Sequence, residues 1–179
     1  MPPPIMQIFD NFLKPEEHEK LQSYMIAGPL PWILCKKAGD DDSMMNYQFI
    51  HPFFRQESQY HYDMTKSPHF DTITPILDNL NILALHRVKA NLEPIKPERY
   101  YSDFHHDYRG GDGKPSKKMT TGIYYVNSND GYTEFEDGKT VNSIANRMIL
   151  FRSDRLHRGV SQLDAQVRCV INFNFFMGN

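Results

Sequence analysis

Three copies of a His-x-Asp pattern are the parts of this 179-residue chain whose residue types and spacing best suit metal chemistry. The letters HYD stand at 61–63, HFD at 69–71 and HHD at 105–107. Residues two apart on a β-strand point to the same face, so each pair can offer one nitrogen and one oxygen ligand together. The pattern is short and occurs three times, so it needs support from its surroundings.

Sequence context separates the three copies. Asp71 precedes a helical pattern and is expected to be its N-cap. The copy at 61–63 lies in a polar segment with no apolar strand behind it. The third copy stands directly ahead of a dense run of strand patterns, so we predict that it is the metal-binding one. His105 and Asp107 then share a face, and His106 points away from it.

One further histidine would complete a known kind of site. His157 is the only histidine after Asp107. Two histidines and one carboxylate form a facial triad on iron that leaves three positions open, enough for a bidentate cosubstrate and dioxygen. A lone histidine more often serves as a hydrogen-bonded packing residue, so His157 needs independent support.

An arginine supplies that support. Arg168 follows His157 by eleven residues and heads the apolar strand pattern VRCVINFNFF. A buried arginine is costly unless it meets an anion. A strand paired with the His157 strand would place this guanidinium beside the metal, where its fork suits a carboxylate.

Composition bounds the function classes. The 20 Lys and Arg residues nearly balance the 22 Asp and Glu residues, giving a net charge of -2, and no basic stripe indicates nucleic acid. Cys35 and Cys169 match no zinc or redox spacing. The first residues lack the pattern of a signal peptide, and no apolar run is long enough to span a bilayer. We therefore expect a soluble cytoplasmic protein without a membrane or nucleic-acid partner.

The order of elements predicts a mainly β fold. Helical patterns cover 13–28, where Pro15 suits the first turn and Gly28 the end, and 69–86. Extended patterns cover the segments PWILCKK, NYQFIHPFF and 86–94, and from residue 118 short strands follow at regular spacing. Two helices followed by seven or eight strands favour a sandwich or barrel flanked by helices.

These residues together resemble the Fe(II)/2-oxoglutarate-dependent dioxygenases, most of all the prolyl-hydroxylase-like branch with its small, often phage-encoded members. The resemblance covers 84–176. The His-x-Asp motif matches His105 and Asp107, the distal histidine matches His157, and the basic residue for the far carboxylate of 2-oxoglutarate matches Arg168.

The resemblance implies a fold and a reaction. The fold is a double-stranded β-helix, or jelly-roll, with flanking N-terminal helices, in one domain over 1–179 in which 1–83 support the core at 84–176. The reaction consumes 2-oxoglutarate and O2 at Fe(II), releases succinate and CO2, and usually hydroxylates a second substrate. Ascorbate is a possible stimulant in such enzymes.

The resemblance also assigns secondary roles. Tyr125, in GIYYVN, is expected to assist the arginine at the carboxylate, with Tyr124 facing the other way. Arg87, Lys89 and Asn91 share a strand face and are expected to line the pocket, with Asn91 as a cosubstrate contact.

A glycine-rich loop is expected to handle the substrate. It runs from Tyr108 to Lys118, and its substrate-contacting residues are expected to include Tyr108, Gly110 and Gly111. Such a composition is typical of a segment that covers an active-site mouth.

A competing interpretation stays open, because fold does not fix function. A cupin-like binding module would hold a structural metal, and Arg168 would pair with an internal acid such as Glu134 or Asp137. For the enzyme, the substrate is unidentified. The prolyl-hydroxylase resemblance favours a peptidyl side chain such as proline, and hence a protein or peptide partner.

Overall fold

The computed structural model describes residues 6–37, 46–56, 66–107 and 114–178. Helix α1 spans Pro15–Gln22 and continues as one π-helical turn over Ser23–Ala27, up to Gly28. Proline opens the helix because its missing N–H would have no helical partner there. The Glu17 carboxylate accepts a hydrogen bond from the Lys14 backbone N–H at 3.3 Å, which stabilises the same end. Most of the helix predicted for 13–28 is therefore present.

The second predicted helix is much shorter than the pattern over 69–86 suggested. A 3₁₀ turn at Phe70–Ile73 leads into α2 at Thr74–Asp78, and Ile82 already begins a long strand. The helical spacing of Ile73, Ile76 and Leu80 does bury these side chains. From Ile82 on, the chain pairs with the strand Val167–Met177, which satisfies its backbone groups across the sheet instead of along a helix.

The expectation that Asp71 is an N-cap is wrong. Asp71 lies inside the 3₁₀ turn and is exposed, and the residue before the turn is His69. Ser67 starts the turn instead: its hydroxyl accepts from the His69 N–H at 3.0 Å, and its carbonyl accepts from the Phe70 N–H at 3.0 Å. A serine hydroxyl often accepts a hydrogen bond from a backbone N–H two residues later, which is the role that Ser67 has here.

Two antiparallel sheets form the body of the described chain. The large one has seven strands in the order β1-β8-β5-β10-β4-β3-β2, and the small one has three in the order β7-β6-β9. The large-sheet strands are β1 Met6–Phe9, β2 Ile33–Lys36, β3 Tyr47–Arg55, β4 Ile82–Pro94, β5 Thr120–Tyr125, β8 Arg147–Arg152 and β10 Val167–Met177. The small-sheet strands are β6 Tyr132–Phe135, β7 Thr140–Asn142 and β9 His157–Val160. This arrangement confirms the predicted mainly β jelly-roll with flanking helices.

The large sheet has one face for the helices and one for the small sheet. Tyr124 and Phe173 face the helices, in a cluster that includes Leu21 and Met25 of the first helical segment. Tyr125 faces the small sheet, in a second cluster that includes Phe135. The two adjacent tyrosines thus point to opposite faces, as strand alternation requires. Among the described residues, no helix has the length and apolar content to cross a membrane.

Candidate active site

The backbone around His105 fixes it against the start of β9. The His105 N–H donates to the His157 carbonyl at 3.0 Å, and the His157 N–H donates back to the His105 carbonyl at 3.2 Å. This isolated antiparallel bridge brings the two imidazole rings to a centroid separation of 4.9 Å. Residues 52 apart in sequence therefore become neighbours through a single backbone pairing.

Asp107 completes the cluster. Its Oδ1 lies 3.8 Å from His105 Nε2, and its Oδ2 lies 3.7 Å from His157 Nε2. One candidate ligand atom from each of the three residues falls within 4.8 Å of the other two. Within the ranges described above, this is the group of histidine, cysteine and acidic residues whose geometry suits a metal ion.

Main-chain carbonyls orient both rings. His105 Nδ1 lies 2.9 Å from the Asp103 carbonyl, and His157 Nδ1 lies 3.1 Å from the Arg155 carbonyl. A carbonyl can only accept, so each Nδ1 carries a proton and each ring directs its Nε2 toward Asp107. Such outer hydrogen bonds are the usual device that fixes the tautomer of a metal-binding histidine.

The electrostatics of Asp107 also suit a cation. Burial by itself raises the pKa of this carboxyl, but His157 and Arg87 outweigh burial and hold the pKa well below its usual range. Arg87 Nη2 donates to Oδ1 at 3.3 Å, whereas the buried Oδ2 has no hydrogen-bond partner. Burial lowers the pKa of His157, so its ring is neutral near pH 7. An ionised carboxylate with an unpartnered oxygen between two imidazoles fits a divalent metal.

The other histidines make different contacts. His69 Nδ1 is hydrogen-bonded to the Tyr24 hydroxyl at 2.6 Å and packs at 5.5 Å from the His51 ring. His106 points away from the cluster, with its Nε2 3.1 Å from the Asp154 carbonyl. The copy at 61–63 lies outside the described residues. The loop residues Tyr108, Gly110 and Gly111 lie outside them as well.

Arg168 is buried in the same cavity, with 6% of its surface exposed. Its Nε donates to the Ser143 hydroxyl at 3.0 Å, and its Nη2 lies 3.4 Å from both the Tyr132 carbonyl and the Thr133 hydroxyl. No carboxylate of the described residues pairs with the guanidinium. Gly131 makes room for it, since a Cβ at this position would approach the Arg168 Cδ to 2.8 Å.

The internal acids proposed for Arg168 in the competing interpretation have other partners. Glu134 Oε2 accepts from Arg158 Nε at 2.8 Å, and Asp137 Oδ2 accepts from Arg155 Nη2 at 2.9 Å. The predicted pairing of Arg168 with either acid is therefore wrong. Both acids lie in the small sheet or its turn, where nearby arginines satisfy them.

The two other expected cosubstrate contacts, Tyr125 and Asn91, differ in how they reach the cavity. The Tyr125 hydroxyl donates to the Thr133 hydroxyl at 2.8 Å, and its ring centroid is 5.9 Å from the Arg168 guanidinium carbon. Thr133, rather than Tyr125, lines the cavity. Asn91 also lines it, and its buried Oδ1 has no hydrogen-bond partner.

Sequence reasoning missed a buried charge cluster at the same cavity. Glu93 Oε1 pairs with Lys37 Nζ at 2.6 Å and Lys96 Nζ at 2.9 Å, and Lys37 and Glu93 line the cavity. Desolvation lowers the pKa of Lys37 to about 8, although Glu93 opposes this change. Alternation along β4 placed Glu93 on the face of Lys89 and Asn91, which is a signal that could have found it. Nothing in the sequence marks Thr133 or Lys37.

Comparisons with known proteins give the fold a class. No protein-family model matches the sequence, and no curated protein matches it. Solved structures do match. A viral collagen prolyl hydroxylase from Paramecium bursaria Chlorella virus-1, solved with 2-oxoglutarate, aligns with a TM-score of 0.63 at 14% identity, over 98% of this chain and 97% of that one.

Two further solved structures extend the comparison. A Trichoplax adhaerens prolyl hydroxylase, in complex with a hypoxia-inducible-factor peptide fragment, aligns with a TM-score of 0.61 at 16% identity over 97% of this chain and 84% of that one. A non-heme α-ketoglutarate-dependent epimerase from nogalamycin biosynthesis aligns with a TM-score of 0.61 at 10% identity, over 97% and 78%. The chain therefore has the fold of the Fe(II)/2-oxoglutarate-dependent oxygenases.

Proposed function

We propose that this protein is an Fe(II)- and 2-oxoglutarate-dependent dioxygenase. The observation that carries the proposal is one cavity that contains both a carboxylate suited to a cation and a guanidinium suited to an anion. At one place an ionised carboxylate with an unpartnered oxygen faces two imidazoles. At another, a buried guanidinium has no carboxylate partner among the described residues. A metal ion and an anionic cosubstrate would satisfy both.

The chain's own residues would divide the work. His105, Asp107 and His157 hold the metal, and their carbonyl contacts at Nδ1 keep the Nε2 atoms directed at it. Arg168 binds the distal carboxylate of 2-oxoglutarate in a dry setting, where hydrogen bonds to charge contribute about 1.5–3 kcal/mol each. Thr133 adds a hydroxyl there, held by Tyr125. When bound, iron, 2-oxoglutarate and O2 together supply an oxidant and release succinate and CO2.

The reaction on the primary substrate is proposed to be hydroxylation. A peptidyl side chain is the favoured substrate class, because two of the similar structures are prolyl hydroxylases and one of these is solved with a peptide. The epimerase indicates that proteins of this fold also carry out reactions other than hydroxylation. Proline is the first side chain to test.

The deciding experiment is a sequence of two measurements. Anaerobic titrations should show one Fe(II) bound per chain and then 2-oxoglutarate bound to the iron-loaded protein. After air is admitted, succinate should accumulate beyond one equivalent per chain. An Asp107→Ala variant is the control, and it should neither bind Fe(II) nor release succinate. Metal binding without succinate would indicate a cupin-like binding module instead.

A further inference from the structure

One wall of the cavity carries polar groups that the proposed function leaves unused. Strand alternation puts Lys89 and Asn91 of β4 on the same face, and the register of β4 with β10 places Asn172 directly opposite Lys89. All three side chains line the cavity that also contains Asp107 and Arg168. They therefore face the space in which any substrate must lie.

These side chains differ from their neighbours in having nothing to bind. Arg87, one pleat away, contacts Asp107 at 3.3 Å and the Asn174 amide oxygen at 3.0 Å. By contrast, no hydrogen bond or ion pair joins the Lys89 ammonium to another residue in the described part of the chain. The Oδ1 atoms of Asn91 and Asn172 are buried and also lack partners. Such groups are costly unless a ligand satisfies them.

The charge of the cavity indicates the sign of that ligand. The charged side chains in its lining are three cations and two carboxylates, namely Lys37, Lys89, Arg168, Glu93 and Asp107. Arg87 contacts Asp107 and Lys96 contacts Glu93, so both add to the positive charge around the cavity. A divalent metal and a doubly charged 2-oxoglutarate offset each other, so the positive excess remains in the loaded site and favours an anion.

Their position along the strands separates Lys89 and Asn172 from the place proposed for the distal carboxylate of 2-oxoglutarate. Asn172 lies four residues from Arg168 along β10, or roughly 13 Å of extended strand. On its other side it lies two residues from Asn174, which is bound to Arg87 and so to Asp107. Lys89 and Asn172 are thus toward the metal end of the cavity, and Asn91, which is paired with Val170, lies between them and the guanidinium.

We propose that Lys89, with Asn91 and Asn172 beside it, binds a carboxylate of the primary substrate at the metal end of the cavity. The inference rests on the proposed function and narrows its substrate class. The carboxylate belongs to an acidic side chain of a peptide or to a free carboxylic acid. The ammonium supplies the charge, and the amide Nδ2 groups of Asn91 and Asn172 donate neutral hydrogen bonds to the carboxylate. Their Oδ1 atoms, which can only accept, are left for an N–H or O–H donor of the same substrate.

The test compares matched acids and amides by calorimetry. The peptide probe is N-acetyl-glutamic acid α-amide, with N-acetyl-glutamine α-amide as its neutral partner. The free-acid probe is 4-acetamidobutyrate, with 4-acetamidobutyramide as its partner. Each is titrated anaerobically into protein saturated with Fe(II) and 2-oxoglutarate, so that the probes cannot compete for the Arg168 subsite.

In the parent protein, at least one acid should bind tenfold or more tightly than its amide, and the pair that shows the preference identifies the source. Lys89→Met should reduce the preference to below twofold, whereas Lys89→Arg should retain most of it. Lys139→Met is the matched control, because Lys139 is 61% exposed and distant from the cavity lining. It should leave the preference unchanged.

Three results would overturn the inference. The first is equal binding of acids and amides by the parent, and the second is a preference that Lys89→Met keeps. The third is a Lys89→Met variant that binds 2-oxoglutarate more weakly but the probes normally, which would assign Lys89 to the cosubstrate. The titrations are repeated on metal-free protein without 2-oxoglutarate. A Lys89-dependent preference there, in a protein that binds no iron, would sustain the carboxylate site while rejecting the proposed function.

Discussion

At the residue scale, the candidate metal site consists of a few side chains, and the sequence offered more than one pair for that role. Three His-x-Asp copies were candidates, and strand context favoured His105 and Asp107. The structure brings these two together with His157. Their role as ligands stays a prediction, and it can be tested one side chain at a time.

Alanine at His105, Asp107 or His157 should each lower Fe(II) affinity by at least a hundredfold and stop succinate formation, because each removes one of three protein ligands. Anaerobic titration with iron analysis measures the first effect. His61→Ala and His69→Ala are the controls, from the two copies not chosen. An equal loss of iron in either control would show that the wrong copy was chosen.

Arg168→Ala should weaken 2-oxoglutarate binding by on the order of a hundredfold, since about 1.4 kcal/mol corresponds to tenfold and two charge-assisted bonds are lost. Arg168→Lys should restore only part of the 2-oxoglutarate affinity, because lysine lacks the planar fork of a guanidinium. Tyr125→Phe should lower the affinity for 2-oxoglutarate about tenfold, because one neutral hydrogen bond to Thr133 is lost. Iron affinity should be unchanged in all three variants. Normal 2-oxoglutarate binding by Arg168→Ala with loss of iron would reverse the assigned roles.

At the element scale, one asparagine joins the first helix to the large sheet. Asn146 Oδ1 accepts from the Leu13 N–H at 2.8 Å and the Tyr124 hydroxyl at 2.9 Å, and its Nδ2 donates to the Leu13 carbonyl at 2.9 Å. Its φ of 62° lies in the left-handed region, which asparagine tolerates better than most residues. The side chain therefore fixes where α1 begins relative to β8.

Asn146→Ala should lower the free energy of unfolding by about 2–4 kcal/mol, because it removes three buried hydrogen bonds and places alanine at positive φ. Asn146→Gly is the matched control, since it loses the same bonds without the backbone strain, and it should be less destabilising. Urea unfolding of the metal-free variants measures both. Equal losses of unfolding free energy in the two variants would mean that the backbone conformation at this position contributes little to stability.

At the scale of the whole molecule, several histidines resist protonation in the folded protein. Desolvation lowers the pKa of His157, His18 and His51 below the ordinary value of 6.5. Below that pH the unfolded chain binds protons that the folded protein excludes, so stability is lost as pH falls. The fully buried His157 alone contributes a slope of up to roughly 1.4 kcal/mol per pH unit.

The metal-free protein should therefore unfold more easily as the pH falls from about 7 to 5. The midpoint of thermal unfolding across this range measures the effect, and His157→Gln should reduce the slope because glutamine does not titrate. Saturating Zn²⁺ should oppose the loss near neutral pH, since a ligand of the folded state stabilises it. A slope that His157→Gln leaves unchanged would assign the effect to other groups.

The sequence by itself determined the local features of the protein, such as most strand patterns and the face of a strand on which a side chain lies. Strand alternation and turn residues determined the β-rich second half, and the opposite faces of Tyr124 and Tyr125, because a period of two is a local property. The burial of Arg168 followed from its apolar strand. The helix predicted over 69–86 failed in its second half, because an apolar run suits both a helix and a buried strand, and only the pairing with β10 decides between them.

Only the tertiary structure decided which distant residues meet. The backbone pairing of His105 with His157, the room that Gly131 leaves for Arg168, and the partners of Glu134 and Asp137 depend on strand register between segments far apart in sequence. The same register puts Lys89 opposite Asn172, where none of the described residues forms a hydrogen bond or ion pair with its ammonium. Register is fixed by the packing of both sheets together, so a local sequence pattern can indicate a face but not what lies across from it.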